Sequence, residues 1–156
     1  MSFLPTIPDD AILLDRENCS HPLAAWTHHP FELDGATWPS VEHYWQGMKF
    51  TDEAIRAEIR AAAHPRLVKK VAEKYQDRVR NDWKKVELVV MTRALYTKCR
   101  AHPDVAKVLL ATGERMLVEN SQYDYFWGCG RDQRGENHYG KLLMAVRRKL
   151  REEAAE

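Results

Sequence analysis

The chain has little of what marks secreted, membrane or duplex-binding proteins. Its three cysteines, Cys19, Cys99 and Cys129, are an odd number at wide spacings, so they predict neither a disulfide framework nor a paired zinc motif. No apolar run approaches the ~20 residues of a membrane span, and the N-terminal stretch is acidic where a signal peptide is basic. With 24 Lys and Arg against 23 Asp and Glu, general affinity for nucleic-acid phosphates is disfavoured. We expect a cytoplasmic protein without a membrane partner.

What remains is the profile of a globular protein. Hydrophobic residues make up 44% and charged residues 30% of 156 positions, which suits one packed domain rather than a disordered or fibrous chain. No repeat, linker or low-complexity stretch divides the sequence. We therefore predict a single α+β domain over residues 1–156, mostly helical, with a small sheet or hairpin.

Local signals place the first elements. Asp34-Gly35 between alternating apolar residues is a strong hairpin signal, because both central turn positions favour positive φ. After Pro39, Ser40 can cap a helix whose apolar positions recur at helical spacing. Further helices are predicted over 52–63 with Thr51 as cap, 65–75, 82–99 with Asn81 as cap, 103–112 and 141–153, and a short strand over 115–119.

The helix SVEHYWQGMKF carries the first candidate constellation. At ~100° per residue, Glu42, Gln46 and Lys49 share a polar stripe that borders the apolar face. Glu42 and Lys49 are then about 10 Å apart along the axis, too far to pair but able to contact two ends of one small ligand. An isolated stripe of this kind is more often an ordinary solvated face, so the pattern alone is weak.

The second constellation is the glycine- and aromatic-rich segment 120–140. Its glycines let backbone approach a ligand closely, and aromatic rings such as Trp127 offer flat faces for a base. An ordered turn whose aromatics fill the core is about equally consistent with the same residues. The spacing matches neither a dinucleotide fingerprint nor a P-loop. The seven histidines show no metal-ligand spacing, so we expect no metal.

Several motifs in combination resemble the NADAR superfamily, in particular its YbiA-like N-glycosidases. They are E-H-x-x-Q-x-x-K-F from Glu42, the helix around Trp83, L-L-x-T-G-x-x-x-L-V-E, and D-x-x-W-G-x-G followed by G-x-N. The resemblance covers residues 30–150. One stretch departs from the family: HPLAAW, residues 21–26, stands where a Ser-Asn-Phe motif is usual, so its effect on substrate recognition is left open.

The resemblance implies cleavage of the bond between ribose C1 and the nitrogen of a base-like group, with no cofactor. Such cleavage needs either an anion near an oxocarbenium ion or an amine that captures an open-chain imine. Glu42 or Asp124 would serve the first need and Lys49 the second. The substrate-binding residues implied are Trp127 and Trp83 for the ring, with Glu119, Gly128, Gly130 and Asn137 at the sugar-phosphate end.

Three functions follow as alternatives. The first is an N-glycosidase for phosphoribosylated pyrimidine intermediates of riboflavin biosynthesis. The second is removal of ADP-ribose from guanine, which makes nucleic acid a partner only as a modified substrate. The third is a non-catalytic ADP-ribose or nucleotide binding module, against which the combination of Glu42, Lys49 and Asp124 argues.

Overall fold

The computed structural model describes residues 7–156, so the start of the acidic N-terminal stretch, residues 1–6, lies outside the described residues. The elements confirm the α+β class with helices in the majority. Within the described range no helix is long and apolar enough to cross a membrane. The strands are β1 (Ile12–Leu14), β2 (Phe31–Leu33), β3 (Ala36–Trp38) and β4 (Leu117–Glu119), and the helices are α1 (Val41–Gly47), α2 (Glu53–Ala61), α3 (Pro65–Lys74), α4 (Trp83–Ala101), α5 (Pro103–Ala111) and α6 (His138–Ala154), with a 3₁₀ turn at Gln76–Arg78.

The strands form two separate pairs. β2 and β3 are the predicted antiparallel hairpin, and its two turn residues, Asp34 and Gly35, have φ of 53° and 78°, as that turn requires. β1 pairs in parallel with β4, so that Leu14 lies opposite Glu119. This second pair joins an early segment of the chain to a late one, and the sequence pattern did not predict it.

Helix α1 begins as predicted and ends earlier than predicted. The Ser40 side chain accepts a hydrogen bond from the backbone N–H of His43, as an N-cap does. The helix stops at Gly47, and the Lys49 N–H bonds to the carbonyl of Gln46 in a tighter turn. Lys49 is therefore beyond the helix, where its carbonyl accepts from Arg80 N–H, rather than on a continuous helical stripe.

Two predicted helix caps are wrong. Helix α2 is capped by Asp52, which accepts from the Ala54 N–H, instead of by Thr51. Helix α4 is preceded by Asp82, whose carboxylate is held by the Arg80 guanidinium at 2.6 Å and makes no cap bond. At α2 the Asp52 carboxylate takes the cap position because it reaches a free N–H of the first turn, whereas at α4 the Asp82 carboxylate bonds to Arg80 instead of to the helix.

Helix α4 is the central element, contacting α1 on one side and α5 and α6 on others. Its buried face includes Met91, Ala94 and Leu95, which are at most 2% exposed. α1 is enclosed so completely that all seven of its residues are buried. A polar side chain on α1 therefore faces either a protein partner or a cavity, because bulk solvent does not reach it.

Candidate active site

A cleft of about 910 Å³ opens beside α1 and the late loop, which is residues 120–137 between β4 and α6. It lies where α1, α3, the start of α4 and the loop after β4 meet. Its volume is at the upper end of the ~300–1,000 Å³ typical of small-molecule sites. The residues around it are Arg16, Glu42, Trp45, Gln46, Lys49, Lys69, Ala72, Glu73, Gln76, Val79, Trp83, Lys84, Glu87, Asp124, Phe126 and Trp127.

Two neighbouring side chains of α1, Glu42 and Gln46, form the floor of the cleft. They are 1% and 5% exposed, and the Gln46 amide Nε2 donates to Glu42 Oε1 at 2.8 Å. The other oxygen of each, Glu42 Oε2 and Gln46 Oε1, is buried without a hydrogen-bond partner among the described residues. Buried acceptors are nearly always paired, so two adjacent unpaired ones at a cleft indicate a place where a ligand donates.

Arg16 connects the early and late parts of the site. It follows β1, and its guanidinium lies 3.7 Å from Glu42 Oε2 and 3.3 Å from Asp124 Oδ2. Burial opposes its charge, but the facing carboxylates of Glu42 and Asp124 prevail and raise the pKa of Arg16. No local sequence pattern pointed to this residue, because its partners come from elsewhere in the chain.

Asp124 has both carboxylate oxygens engaged. Oδ1 accepts from the backbone N–H groups of Phe126 at 3.0 Å and Trp127 at 2.7 Å, while Oδ2 faces Arg16. This arrangement fixes the turn that carries Trp127. It favours a positioning role for Asp124 over direct proton transfer.

Lys49 reaches the cleft from beyond the end of α1. Its Nζ lies 4.7 Å from the centre of the Trp45 ring, and no carboxylate lies within ion-pair distance of it among residues 7–156. Burial lowers the pKa of Lys49 from its usual 10.5, although Glu42 and Glu87 partly oppose the change. A larger fraction of the amine is therefore unprotonated and nucleophilic near neutral pH than for a surface lysine.

Aromatic rings form one wall of the cleft. Trp45 packs edge-on against Trp83, with ring centres 5.1 Å apart, and against Trp127 at 5.5 Å. Phe126 packs edge-on against Trp127 at 4.8 Å. Trp127 and Trp83 are 5% and 7% exposed, so each offers the cleft an edge or part of a face rather than a free platform.

The structure brings together five of the nine predicted site residues at this cleft: Glu42, Lys49, Asp124, Trp83 and Trp127. The other four, Glu119, Gly128, Gly130 and Asn137, do not line the cleft. The Glu119 carboxylate accepts from the Arg16 N–H at 2.8 Å, and burial raises its pKa to about 7. Asn137 joins the Glu119 N–H to the Leu117 carbonyl through its side-chain amide.

Gly128 and Gly130 serve the loop's own folding. A Cβ at Gly128 would come within 3.0 Å of the carbonyls of Asp124 and Glu119, and Gly130 has φ of 71° beneath the Tyr125 ring. Backbone therefore approaches backbone here, where the sequence interpretation had it approach a ligand. Neither glycine lines the cleft.

The HPLAAW stretch, which differs from the family motif, bonds through its backbone to the start of α1. The Ala25 carbonyl accepts from the Glu42 N–H at 3.1 Å, and the Tyr139 hydroxyl donates to the Leu23 carbonyl. Lys98, 2% exposed, donates to the Ala24 carbonyl. Ala24 and Ala25 place no polar side chain towards Glu42.

Within the described part of the chain no three His, Cys, Asp or Glu side chains could hold a metal ion.

The fold and the cleft define a class: a small α+β protein with a carboxylate, a desolvated amine and a tryptophan wall around one ligand-sized cavity. Comparisons with known proteins agree. The NADAR domain family model matches residues 15–151. An N-glycosidase of Nostoc punctiforme is 41% identical over 126 residues, covering 79% of this chain and 81% of that protein.

Escherichia coli N-glycosidase YbiA is 39% identical over 127 residues, covering 81% of this chain and 78% of that protein. Its NMR structure aligns with a TM-score of 0.84 and 33% identity over 99% of this chain and 92% of that one. A riboflavin biosynthesis protein of Vibrio vulnificus is 37% identical over 78% of this chain, which spans 33% of that longer protein.

The chain belongs to the NADAR family. It is accordingly an enzyme, a hydrolase that acts on N-glycosyl compounds. The family resemblance found in the sequence motifs is thereby confirmed.

Proposed function

We propose that this chain hydrolyses the C1–N bond of phosphoribosylated pyrimidine intermediates of riboflavin biosynthesis, with Glu42, Lys49 and Asp124 as its central residues. The observation that carries the proposal is the convergence of Glu42, Lys49 and Trp127 on one cleft. Hydrolysis of a ribosylamine requires a group that moves protons, a group that stabilises or captures C1, and a surface for the base-like ring. Each of these three residues matches one requirement.

Lys49 and Glu42 divide the chemistry at C1. In the covalent route, the neutral Lys49 amine adds to the C1=N bond of the ring-opened substrate, and the base-like amine leaves with a proton. Water then adds to the new C1=Nζ bond and releases the sugar aldehyde, which restores the free amine. Glu42 supplies and takes back the protons through Oε2. In the alternative route, Glu42 stabilises an oxocarbenium ion that water attacks directly.

Arg16 and Asp124 would position Glu42 and Trp127 for this chemistry. The guanidinium lies between the two carboxylates, so it neutralises charge that would otherwise accumulate in a buried site. Asp124 in turn fixes the Trp127 turn. At the rim, Lys69 provides a cation for a sugar phosphate.

The riboflavin-related substrate is supported by the name of the Vibrio relative and by the size of the site. A phosphoribosyl pyrimidine is a small molecule, and the chain has near-balanced charge. The cleft also has volume for a larger ligand, so ADP-ribose on guanine is the second candidate.

The free thiols Cys19, Cys99 and Cys129 suit a reducing cytoplasm.

Separate incubations test the proposal. The protein is given a ribosylaminopyrimidine 5-phosphate or ADP-ribosylated guanosine, and release of ribose 5-phosphate or ADP-ribose is measured. We expect turnover of the first substrate, lowered about 100-fold or more in Glu42→Gln. Release from the guanosine substrate alone would establish the second candidate, and binding without release from either would contradict both.

A further inference from the structure

Gln46 has an acceptor that the proposed chemistry does not use. Its side chain is 5% exposed, and Oε1 has no hydrogen-bond partner among the described residues although the residue lines the cleft. An unpaired buried acceptor is costly, and each such group in a native structure calls for a partner. Among residues 7–156 the side-chain amide makes one hydrogen bond, from Nε2 to Glu42 Oε1.

The orientation of this amide follows from its neighbour. An ionised carboxylate accepts hydrogen bonds and donates none, so Glu42 requires the NH₂ end of the amide. The Arg16 guanidinium lies 3.7 Å from the other oxygen of this carboxylate, Glu42 Oε2. Gln46 therefore turns its carbonyl oxygen away from Glu42, and what fills this position must be a donor.

The proposed function, on which this step rests, identifies the donor. Glu42 acts at C1 of the sugar, and Gln46 is its i+4 neighbour on the same face of α1. On ribose, the carbon next to C1 is C2, and it carries the 2-hydroxyl, which can donate a hydrogen bond. We propose that Gln46 Oε1 accepts from the sugar 2-hydroxyl and makes Gln46 the residue that selects ribosyl over 2-deoxyribosyl substrates.

The consequence for specificity is asymmetric. A site built to hydrogen-bond a hydroxyl rejects an analogue that lacks it, because its own buried acceptor is then left unpaired. Glu42 Oε2 cannot take over this contact, since it is directed at the reacting centre. We expect the wild-type protein to prefer the ribosyl form by about 10-fold or more, and this preference to depend on Gln46.

The test compares sugars and variants. Dissociation constants are measured by calorimetry for ribose 5-phosphate and 2-deoxyribose 5-phosphate, and kcat/KM for the matching ribosyl- and 2-deoxyribosylaminopyrimidine phosphates. The variants are Gln46→Met, which keeps side-chain length, and Gln46→Asn, which keeps the amide and withdraws it. The matched control is Gln76→Leu, an exposed glutamine of the same cleft.

We expect both Gln46 variants to lose the ribose preference by about 10-fold and the Gln76 control to keep it. Comparing ratios between variants cancels the intrinsic reactivity of the deoxy substrate. An unchanged ratio in folded Gln46→Met, or no preference in the wild type, would overturn the inference. Selective binding of ribose 5-phosphate without turnover would overturn the proposed reaction and leave the Gln46 assignment standing.

Discussion

Replacing Lys49 by methionine separates a covalent amine from an ordinary buried lysine. The change removes the amine and keeps an unbranched stem beside Trp45. If Nζ captures C1, turnover falls by at least about 100-fold, which corresponds to about 2.7 kcal/mol of transition-state stabilisation. Lys84→Met is the matched control, because Lys84 lies at the same cleft with a side chain that is 91% exposed.

The structure predicts little change in stability for this variant. Nζ forms no ion pair in the described part of the chain, and its contact with the Trp45 ring at 4.7 Å is of a kind that contributes about 0.5–2 kcal/mol. Methionine also removes the cost of burying a charge. The two effects oppose each other, so we expect the free energy of unfolding to stay within about 1 kcal/mol and the Tm within about 4 °C.

The assay has two readouts. Reduction with borohydride during turnover should leave the sugar phosphate covalently attached to Lys49, seen by mass spectrometry of the intact protein and its peptides. Turnover should also rise with pH along a limb set by Lys49. Because burial lowers the pKa of this amine, that limb should lie below the 10.5 of an ordinary lysine and disappear in Lys49→Met.

Four results would refute the reasoning about Lys49. Retention of more than about a tenth of wild-type turnover in Lys49→Met would exclude a covalent role, as would equal losses in Lys49→Met and Lys84→Met. Loss of activity accompanied by a large fall in Tm would make the lysine structural. Activity loss without any trapped adduct would favour the oxocarbenium route, with Lys49 acting only as a charge.

The remaining predictions concern single side chains. Glu42→Gln should lower kcat about 100-fold or more with little change in Tm; near-normal kcat in steady-state kinetics would contradict its role. Trp127→Ala should raise KM more than it lowers kcat, and, because the ring is 5% exposed, should cost about 3–5 kcal/mol in urea unfolding; a pure kcat effect would count against stacking. Burial lowers the pKa of Lys98 to about 7 from 10.5. Between these two pH values Lys98 is protonated in the unfolded chain and neutral in the folded one. The free energy of unfolding should therefore rise with pH in this range, by up to about 1.4 kcal/mol per pH unit. Lys98→Met should flatten that slope in unfolding curves measured from pH 7 to 10, and an unchanged slope would assign it to other groups.

Sequence motifs located the parts of the site that lie on continuous segments. Glu42 and Gln46 are one helical turn apart, and a Ser40 cap with an apolar period is enough to place them on one face. Lys49 was assigned to the cleft for a partly wrong reason, since α1 ends before it. Arg16 was missed altogether, because no local pattern shows that residues 16 and 124, 108 positions apart, face each other.

The late loop shows where sequence reasoning reaches its limit. Glu119, Asn137, Gly128 and Gly130 are residue types that suit a ligand site. In the structure Glu119 accepts from the Arg16 N–H and Asn137 bonds to the backbone of β4, while the two glycines make room for close contacts within the loop. A polar or glycine residue serves whichever unpaired group lies nearest after folding. That neighbour is decided by the parallel pairing of β1 with β4, a long-range contact with no counterpart in local periodicity.

The amino-acid sequence by itself determined the hairpin turn, the capped start of α1 and the set of motifs that identify the family, because turn geometry, capping and helical period act over a few neighbouring residues. Only the tertiary structure decided which groups share the cleft. Burial of α1, whose Glu42 N–H bonds to the HPLAAW stretch, and the bridge from Arg16 to Asp124 turn an ordinary polar stripe into a desolvated site. Two acceptor oxygens there have no hydrogen-bond partner among residues 7–156.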